Sequence, residues 1–403
     1  MDLSAPWNEP SRRAGWALLQ NFLPRVGDYA RLRNFDQPGH TDVSRLSPYV
    51  RSRLLSEAEI YRTVREQYSW DQAEKFLQEV VWRTYWKGWL EMRPVVWQEY
   101  RKAVGCLRKE GGFSPLDLSK AEKGETGIAC FDYWVSELRE TGYLHNHARM
   151  WFASLWIFTL RLPWALGADF FFRHLLDGDP ASNTLGWRWV AGLQTKGKPY
   201  LARAENIQKF TGGRFYPKGQ LVEDAEPLTE DMTFSRGVLP AGDPWPPEDG
   251  RRRGLLLLVE DCSVEETPLG KISLAALAGW SPEAVLEKYG ISARPVNFQR
   301  GALADALQRA GQCWGKDPEM LQGPCPVAEL KKWIEENALD ELIVFAPPVG
   351  PWQEAWRDLR MGLGSFPVRS LRRPWDDALW PRATAGFFRF KKGIATVLEE
   401  LVE

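Results

Sequence analysis

The residues best placed to do chemistry lie between Gly142 and Trp189, in GYLHNHARMWFASLWIFTLRLPWALGADFFFRHLLDGDPASNTLGWRW. Asn146 and Arg149 open this stretch at helical spacing. Asp177, Asp179 and Asn183 follow a long apolar segment, and Trp187 and Trp189 close it. Two carboxylates, an arginine and two amides among so much Trp, Phe and Leu are costly to bury without a polar partner. A plain apolar core accounts for the rings but not for DGD or the asparagines. The chemistry this set supports is the holding of a polar, flat ligand. A second group lies in RLSPY, where Ser47-Pro48 starts a helix behind Ser44 and Arg45. Loop donors and a helix N-terminus together make an anion site, although an ordinary N-cap reads the same way. In EKFLQEVVWRTYWKGW, Phe76, Glu79, Trp82, Arg83 and Trp86 share one helical face, which on the residues alone is a salt-bridged helix among rings.

The elements that must position these residues follow from the same string. Asp179-Pro180 is a helix start, with a carboxylate for the free N–H groups and a proline at the first turn. Met150–Leu166 is interrupted by Arg161 and Pro163, so it reads as a buried core helix and not a membrane span. Pro6–Arg25 predicts a short helix with Trp16, Leu18, Leu19 and Phe22 on one side, and Glu57–Trp97 a helical region broken around Ser69. Residues 221–252 hold eight Asp/Glu and five prolines and read as a linker. From 253 onward strand and helix alternate. Strands are expected at 255–259, 341–346 and 366–371, and helices from Ser281-Pro282-Glu283, over Ala302–Gln312 and over Phe387–Leu401. That pattern is a smaller Rossmann-like α/β domain, with no GxGxxG or GxxxxGK[ST] after a strand.

With 403 residues and 44% hydrophobic content the chain can bury two to three domains. No signal peptide is read at its start, and the expected location is cytoplasmic. Cys106, Cys130, Cys262, Cys313 and Cys325 show no CxxC spacing and read as reduced thiols; with four histidines, a metal enzyme is not expected. Residues 1–220 carry 31 Lys/Arg against 24 Asp/Glu, and residues 221–403 carry 21 against 29. The basic half suits phosphate-backbone binding, with solvated surface as the alternative.

HNHARM, LLDGDPASN and GWRW resemble the flavin-binding half of the DNA photolyase/cryptochrome family, where HN-x-x-R-M, DGD-x-x-x-N and GW-x-W recur in this order and spacing. SRLSPY resembles the family's pyrophosphate loop, and Tyr29 and Arg33 match a tyrosine and an arginine upstream of it across a segment two residues longer here. EKFLQEVVWRTYW is similar to W-x-x-E-x-x-W-R-x-x-Y, with Phe76 where tryptophan is common. The resemblance implies a mostly helical FAD-binding domain over 1–220, the linker 221–252 and the α/β domain at 253–403. The usual domain order is thus reversed and FRRDLR-x-x-DN is absent, which leaves an antenna chromophore doubtful.

By that resemblance FAD is held by Tyr29, Arg33, Ser44, Arg45, Leu46, Ser47, Phe76, Glu79, Arg83, Asn146, Arg149, Asp177, Asp179 and Asn183. Asn183 stands beside the reactive flavin nitrogen, where an amide can donate or accept, and Arg149 pairs with Asp177. Glu79, Trp82, Asn146, Met150 and Trp189 face a flipped dimer. Trp187 and Trp164 carry electrons. The outermost tryptophan of the family's chain has no counterpart in EGGFSPLDLSKA, so Trp134, Trp151 and Trp156 are the candidates to replace it. The implied function is FAD-dependent, blue-light-driven repair of cyclobutane pyrimidine dimers, with lesion-bearing DNA as partner and the cofactor supplying the electron. The alternatives are a blue-light receptor with a protein signalling partner and no repair, and a flavin-binding scaffold that is dark-active or inert.

Overall fold

The computed structural model describes residues 9–266 and 268–402. Packing groups them into two compact units. One holds Phe22–Arg45 and Arg93–Arg236; the other holds 9–21, Leu46–Met92 and 237–402. This grouping interleaves along the chain, whereas the expected division runs in three consecutive blocks. The acidic segment 221–252 is also tied down at both halves. Leu228 N–H donates to Ala191 O at 3.0 Å and Glu230 pairs with Arg188. Asp243 N–H donates to Ser370 O at 2.9 Å and Arg369 reaches Pro244 O at 2.8 Å.

The first unit is helical. The helix Ala129–Thr141 ends on Gly142, whose φ of +72° is the left-handed turn that glycine adopts at no steric cost. The next helix, Asn146–Ser154, runs into a π turn, Leu155–Thr159, in which Leu160 N–H reaches back five residues to Leu155 O. Arg161 at φ +53° and Pro163, which lacks an N–H, end it. The helices Trp164–His174 and Pro180–Val190 follow, and all three pack around Phe152, Trp156, Phe171 and Trp187, each under 4% exposed. The core reading of Met150–Leu166 holds, and no described helix is long and apolar enough to cross a membrane.

The second unit is built on a five-stranded, all-parallel sheet. Its strands are β1 (Arg253–Leu257), β2 (Ala276–Trp280), β3 (Pro318–Leu321), β4 (Glu341–Phe345) and β5 (Val368–Leu371), in the order β3-β2-β1-β4-β5. β1, β2 and β4 are buried along their whole length, which is why RGLLL and ELIVF read as apolar runs. Two strands escaped the sequence. ALAGW is poor in β-branched residues, and PEML is an edge strand opened by a proline and exposed at its first two positions. The expected Ala302–Gln312 helix is the C-terminal part of Ala293–Trp314, and the closing helix is split into Phe387–Phe390 and Ile394–Val402 around Gly393.

The helix Trp70–Glu91 belongs to this unit. Ser69 and Gln72 form a reciprocal capping box that starts it after the expected break. Its C-terminal half is bound along its length: Trp375 Nε1 donates to Thr84 Oγ1 at 2.9 Å, Tyr85 donates to Ala385 O at 2.8 Å, and Val349 N–H donates to Glu91. A Cβ on Gly88 would lie 2.7 Å from Trp380 Cα, so only glycine allows this approach.

Candidate flavin-binding site

In the helical unit the Asp177–Asn183 segment forms as the sequence suggests. Asp179 caps the Pro180–Val190 helix by accepting Ser182 N–H at 2.8 Å. Arg149, three residues past Asn146 on the same helix, donates Nη2 to Asp177 Oδ2 at 2.9 Å and Nε to Leu144 O at 2.9 Å. That leaves Asp177 Oδ1 buried and without a hydrogen-bond partner among the described residues. A buried carboxylate oxygen in that state is a place for a donor from a ligand. Asn183 donates Nδ2 to Ala168 O at 2.7 Å, which fixes its amide plane. Asn146 is exposed at the first turn of its helix, and Met150 is half-buried one turn on.

Trp187 is 3% exposed and meets Phe171 edge-on at 5.1 Å and Trp156 edge-on at 6.2 Å. Gly167 makes this possible, because a Cβ there would sit 2.3 Å from the Trp187 ring. Trp164 stacks on Tyr100 at 5.7 Å with the Arg188 guanidinium 5.8 Å from its ring. Of the three candidate replacements, Trp156 is the one against Trp187, while Trp134 and Trp151 stack on each other at 5.5 Å. Trp189 stacks on Tyr200 at 5.7 Å.

Tyr29 opens a four-residue helix and meets Phe22 edge-on at 5.9 Å, with Arg33 half-buried just past that helix. Ser44 is half-buried, and Arg45 adopts φ +55°, a strained conformation for a side chain of its size, while its Nη1 donates to Gly39 O at 3.0 Å. In the second unit, Leu46 is buried and precedes the short helix Ser47–Arg51, in which Ser47 is exposed.

On the Trp70–Glu91 helix, Phe76 is buried and Glu79 half-buried. Arg83 is engaged by Glu57 and by Arg51 O at 3.1 Å. Burial alone would raise the Glu57 carboxyl, yet Arg53 and Arg83 hold it below the usual carboxylate range. Trp82 lies face to face with Phe387, centroids 3.5 Å apart and planes within 10°. No short-range signal announces that contact, since its two residues are 305 positions apart.

A further buried cluster in the helical unit was also missed. His40 lies between Glu137 Oε1, 3.0 Å from Nε2, and Asp36 Oδ1, 3.5 Å from Nδ1. Trp134 Nε1 and Arg214 hold the other oxygen of Asp36. Burial, then the Glu137 charge, pushes the Asp36 carboxyl up. These three are the set among the described residues with metal-ligand spacing. Nε2 is hydrogen-bonded to Glu137, whereas Nδ1 and Asp36 Oδ1 make no hydrogen bond among the described residues.

Residues 76–233 match a family model described as the FAD binding domain of DNA photolyase. This part of the chain is therefore similar to the FAD-binding domain of photolyases. The chain is 33% identical over 203 residues to the deoxyribodipyrimidine photo-lyase of Alkalihalophilus pseudofirmus, covering 49% of this chain and 41% of that protein. It is 32% identical over 225 residues to the enzyme of the same name from Streptomyces griseus, covering 54% and 47%. Among solved structures it is similar to the Synechocystis sp. PCC6803 cryptochrome, at 26% identity and a TM-score of 0.44 over 50% of this chain and 43% of that one. The chain spans less than half the length of these relatives. Tyr29, Arg33 and Ser44–Ser47 lie before the matched segment.

Proposed function

We propose that this protein is a light-driven flavoprotein that repairs cyclobutane pyrimidine dimers in DNA. The match of residues 76–233 to a photolyase FAD domain carries the reading, and the buried open oxygen of Asp177 fits a polar cofactor. The domain plan is a flavin-binding part over 1–220, the acidic segment 221–252 and the α/β part from 253. When bound, reduced FAD supplies the electron that opens the cyclobutane ring. The chain's residues do the rest. Arg149 fixes Asp177, which with Asp179 and Asn183 takes the polar edge of the cofactor; Ser44, Arg45, Leu46 and Ser47 take its phosphates, with Tyr29, Arg33, Phe76 and Arg83 around them. Glu79, Asn146, Met150, Trp82 and Trp189 receive the flipped dimer, hydrogen-bonding it and stacking on it. Trp187, next to the flavin, receives electrons from Trp164 or from Trp156, the ring against which it packs.

One observation favours the receptor reading. A base cannot stack on the face of Trp82 that Phe387 covers. Repair therefore requires the Phe387 ring to leave or the dimer to use the other face. The test is a repair assay on a dimer-containing oligonucleotide with chemically reduced protein, wild type beside Phe387→Ala. Dimer splitting that is faster in the variant supports repair behind a movable ring. Ready photoreduction of the flavin with no splitting in either protein establishes the receptor reading.

A further inference from the structure

The second unit holds an open cleft of about 320 Å³, counted out to its mouth, that the flavin chemistry does not use. The sheet topology places it. From β1 the chain moves outward through β2 to β3, then returns to the other side of β1 for β4 and β5. Connections leaving β1 and β4 diverge at their carboxyl ends, which is where parallel α/β sheets leave a crevice for ligands. Glu260 and Asp261 follow β1, Ala346 and Pro348 follow β4, and Arg372 and Arg373 follow β5; all line the cleft. Lys87 and Trp380 complete it.

The carboxylates there are already committed. Asp261 accepts from Arg373 at 2.9 and 3.1 Å and from Arg53 at 3.2 Å. Asp376 accepts from Arg53 at 2.7 Å, and Glu260 faces Arg51 at 2.6 Å and Lys87 at 3.7 Å. Glu260 Oε2, 3.7 Å from Lys87, makes no hydrogen bond among the described residues, and the other unmade groups are donors. Arg373 Nη1, Arg372 Nε and Trp380 Nε1 are buried without a hydrogen-bond partner among the described residues, and Arg373 is 97% buried. The two guanidinium planes are held by rings, Arg373 over Phe345 at 3.9 Å and Arg372 over Trp380 at 5.1 Å. Buried N–H groups left unmade are costly, and arginine forks match oxyanions.

We propose that this cleft binds a small phosphate-bearing ligand. Three donors from three separate side chains suit a tetrahedral oxyanion better than a carboxylate, whose two oxygens lie in one plane. The cleft is narrow and open to solvent, which limits its ligand to a free phosphate or a small phosphate ester reaching in from the mouth.

The test uses the full-length, flavin-loaded protein. Calorimetric titration and thermal melting are run with inorganic phosphate and with a nucleoside monophosphate, each against chloride at equal ionic strength. Phosphate should bind saturably and raise the melting temperature where chloride does not. Trp380→Phe, which keeps the ring and removes the donor, and Arg372→Gln should each weaken binding about tenfold, the loss expected for one charge-assisted or buried hydrogen bond. Arg389→Gln, at an exposed position outside the cleft, should leave it unchanged. Melting in chloride and the flavin absorbance show whether each variant is folded; if Trp380→Phe is not, Arg372→Gln decides. Tighter binding of the monophosphate than of phosphate identifies an ester as the ligand, and equal binding the free anion. Equal responses to phosphate and chloride, or a phosphate response untouched in the folded variants, overturns the proposal.

Discussion

The two units each bury a cluster of arginines and carboxylates, and the clusters differ in how far they are satisfied. In the α/β unit Arg53 meets Glu57, Asp261 and Asp376, and Asp261 meets Arg373 as well. Every carboxylate there has a cation. In the helical unit Asp177 has one arginine on one oxygen and nothing on the other among the described residues. Charge content alone would not separate them; the pairing of Arg53 with three carboxylates, against a single arginine on one oxygen of Asp177, does.

This contrast can be broken by mutation. Arg53→Met should have the largest effect, a loss of about 3–5 kcal/mol in denaturant unfolding, because it strands buried carboxylates. Asp177→Ala should lower FAD affinity by on the order of 2–3 kcal/mol, as loss of a charged hydrogen-bonding group does, while the flavin-free protein unfolds nearly as the wild type does. If the two variants lose equal flavin-free stability, the distinction between the two clusters fails. Glu91 offers a sharper version. Burial pushes its carboxyl up to about 7, against the pull of Val349 N–H, Lys87 and Arg372. A folded pKa above the unfolded value of 4.5 means the folded state holds the proton more tightly, so stability falls as pH rises from about 5 to 7. Glu91→Gln should flatten that slope and gain roughly 1–3 kcal/mol at pH 8, measured by urea unfolding across the range. The smallest effect is expected at the helix start, where Asp179→Ala should cost about 1 kcal/mol of stability for the lost cap.

Local signals carried much of the design. Asp179-Pro180, Ser47-Pro48 and the break at Ser69 were legible because caps and prolines act within a few residues. β1 and β4 were legible because buried parallel strands are apolar runs, while β5, half-buried over its first three residues, gave only a weaker signal. The Arg149–Asp177 pair came from family likeness, and the structure has it. What stayed hidden depends on distant packing. Alanine and glycine in β2 carry no strand signal, and His40, four residues from Asp36, meets Glu137 only across 97 residues of chain. The ring over Trp82 and the donors around the β1/β4 crevice come from the far end of the sequence, and no short-range pattern announces them.

The helix Trp70–Glu91 carries Phe76, Glu79, Trp82 and Arg83, while its last two turns are fastened to Trp375, Ala385, Trp380 and Val349. That attachment limits how the gene can be cut. A shortened version ending near residue 220 would retain every flavin motif on paper, yet it would leave this helix with an apolar flank and no scaffold. The C-terminal region is thus no detachable accessory, and recombination or domain swapping that treats the flavin motifs as a portable cassette should yield insoluble protein.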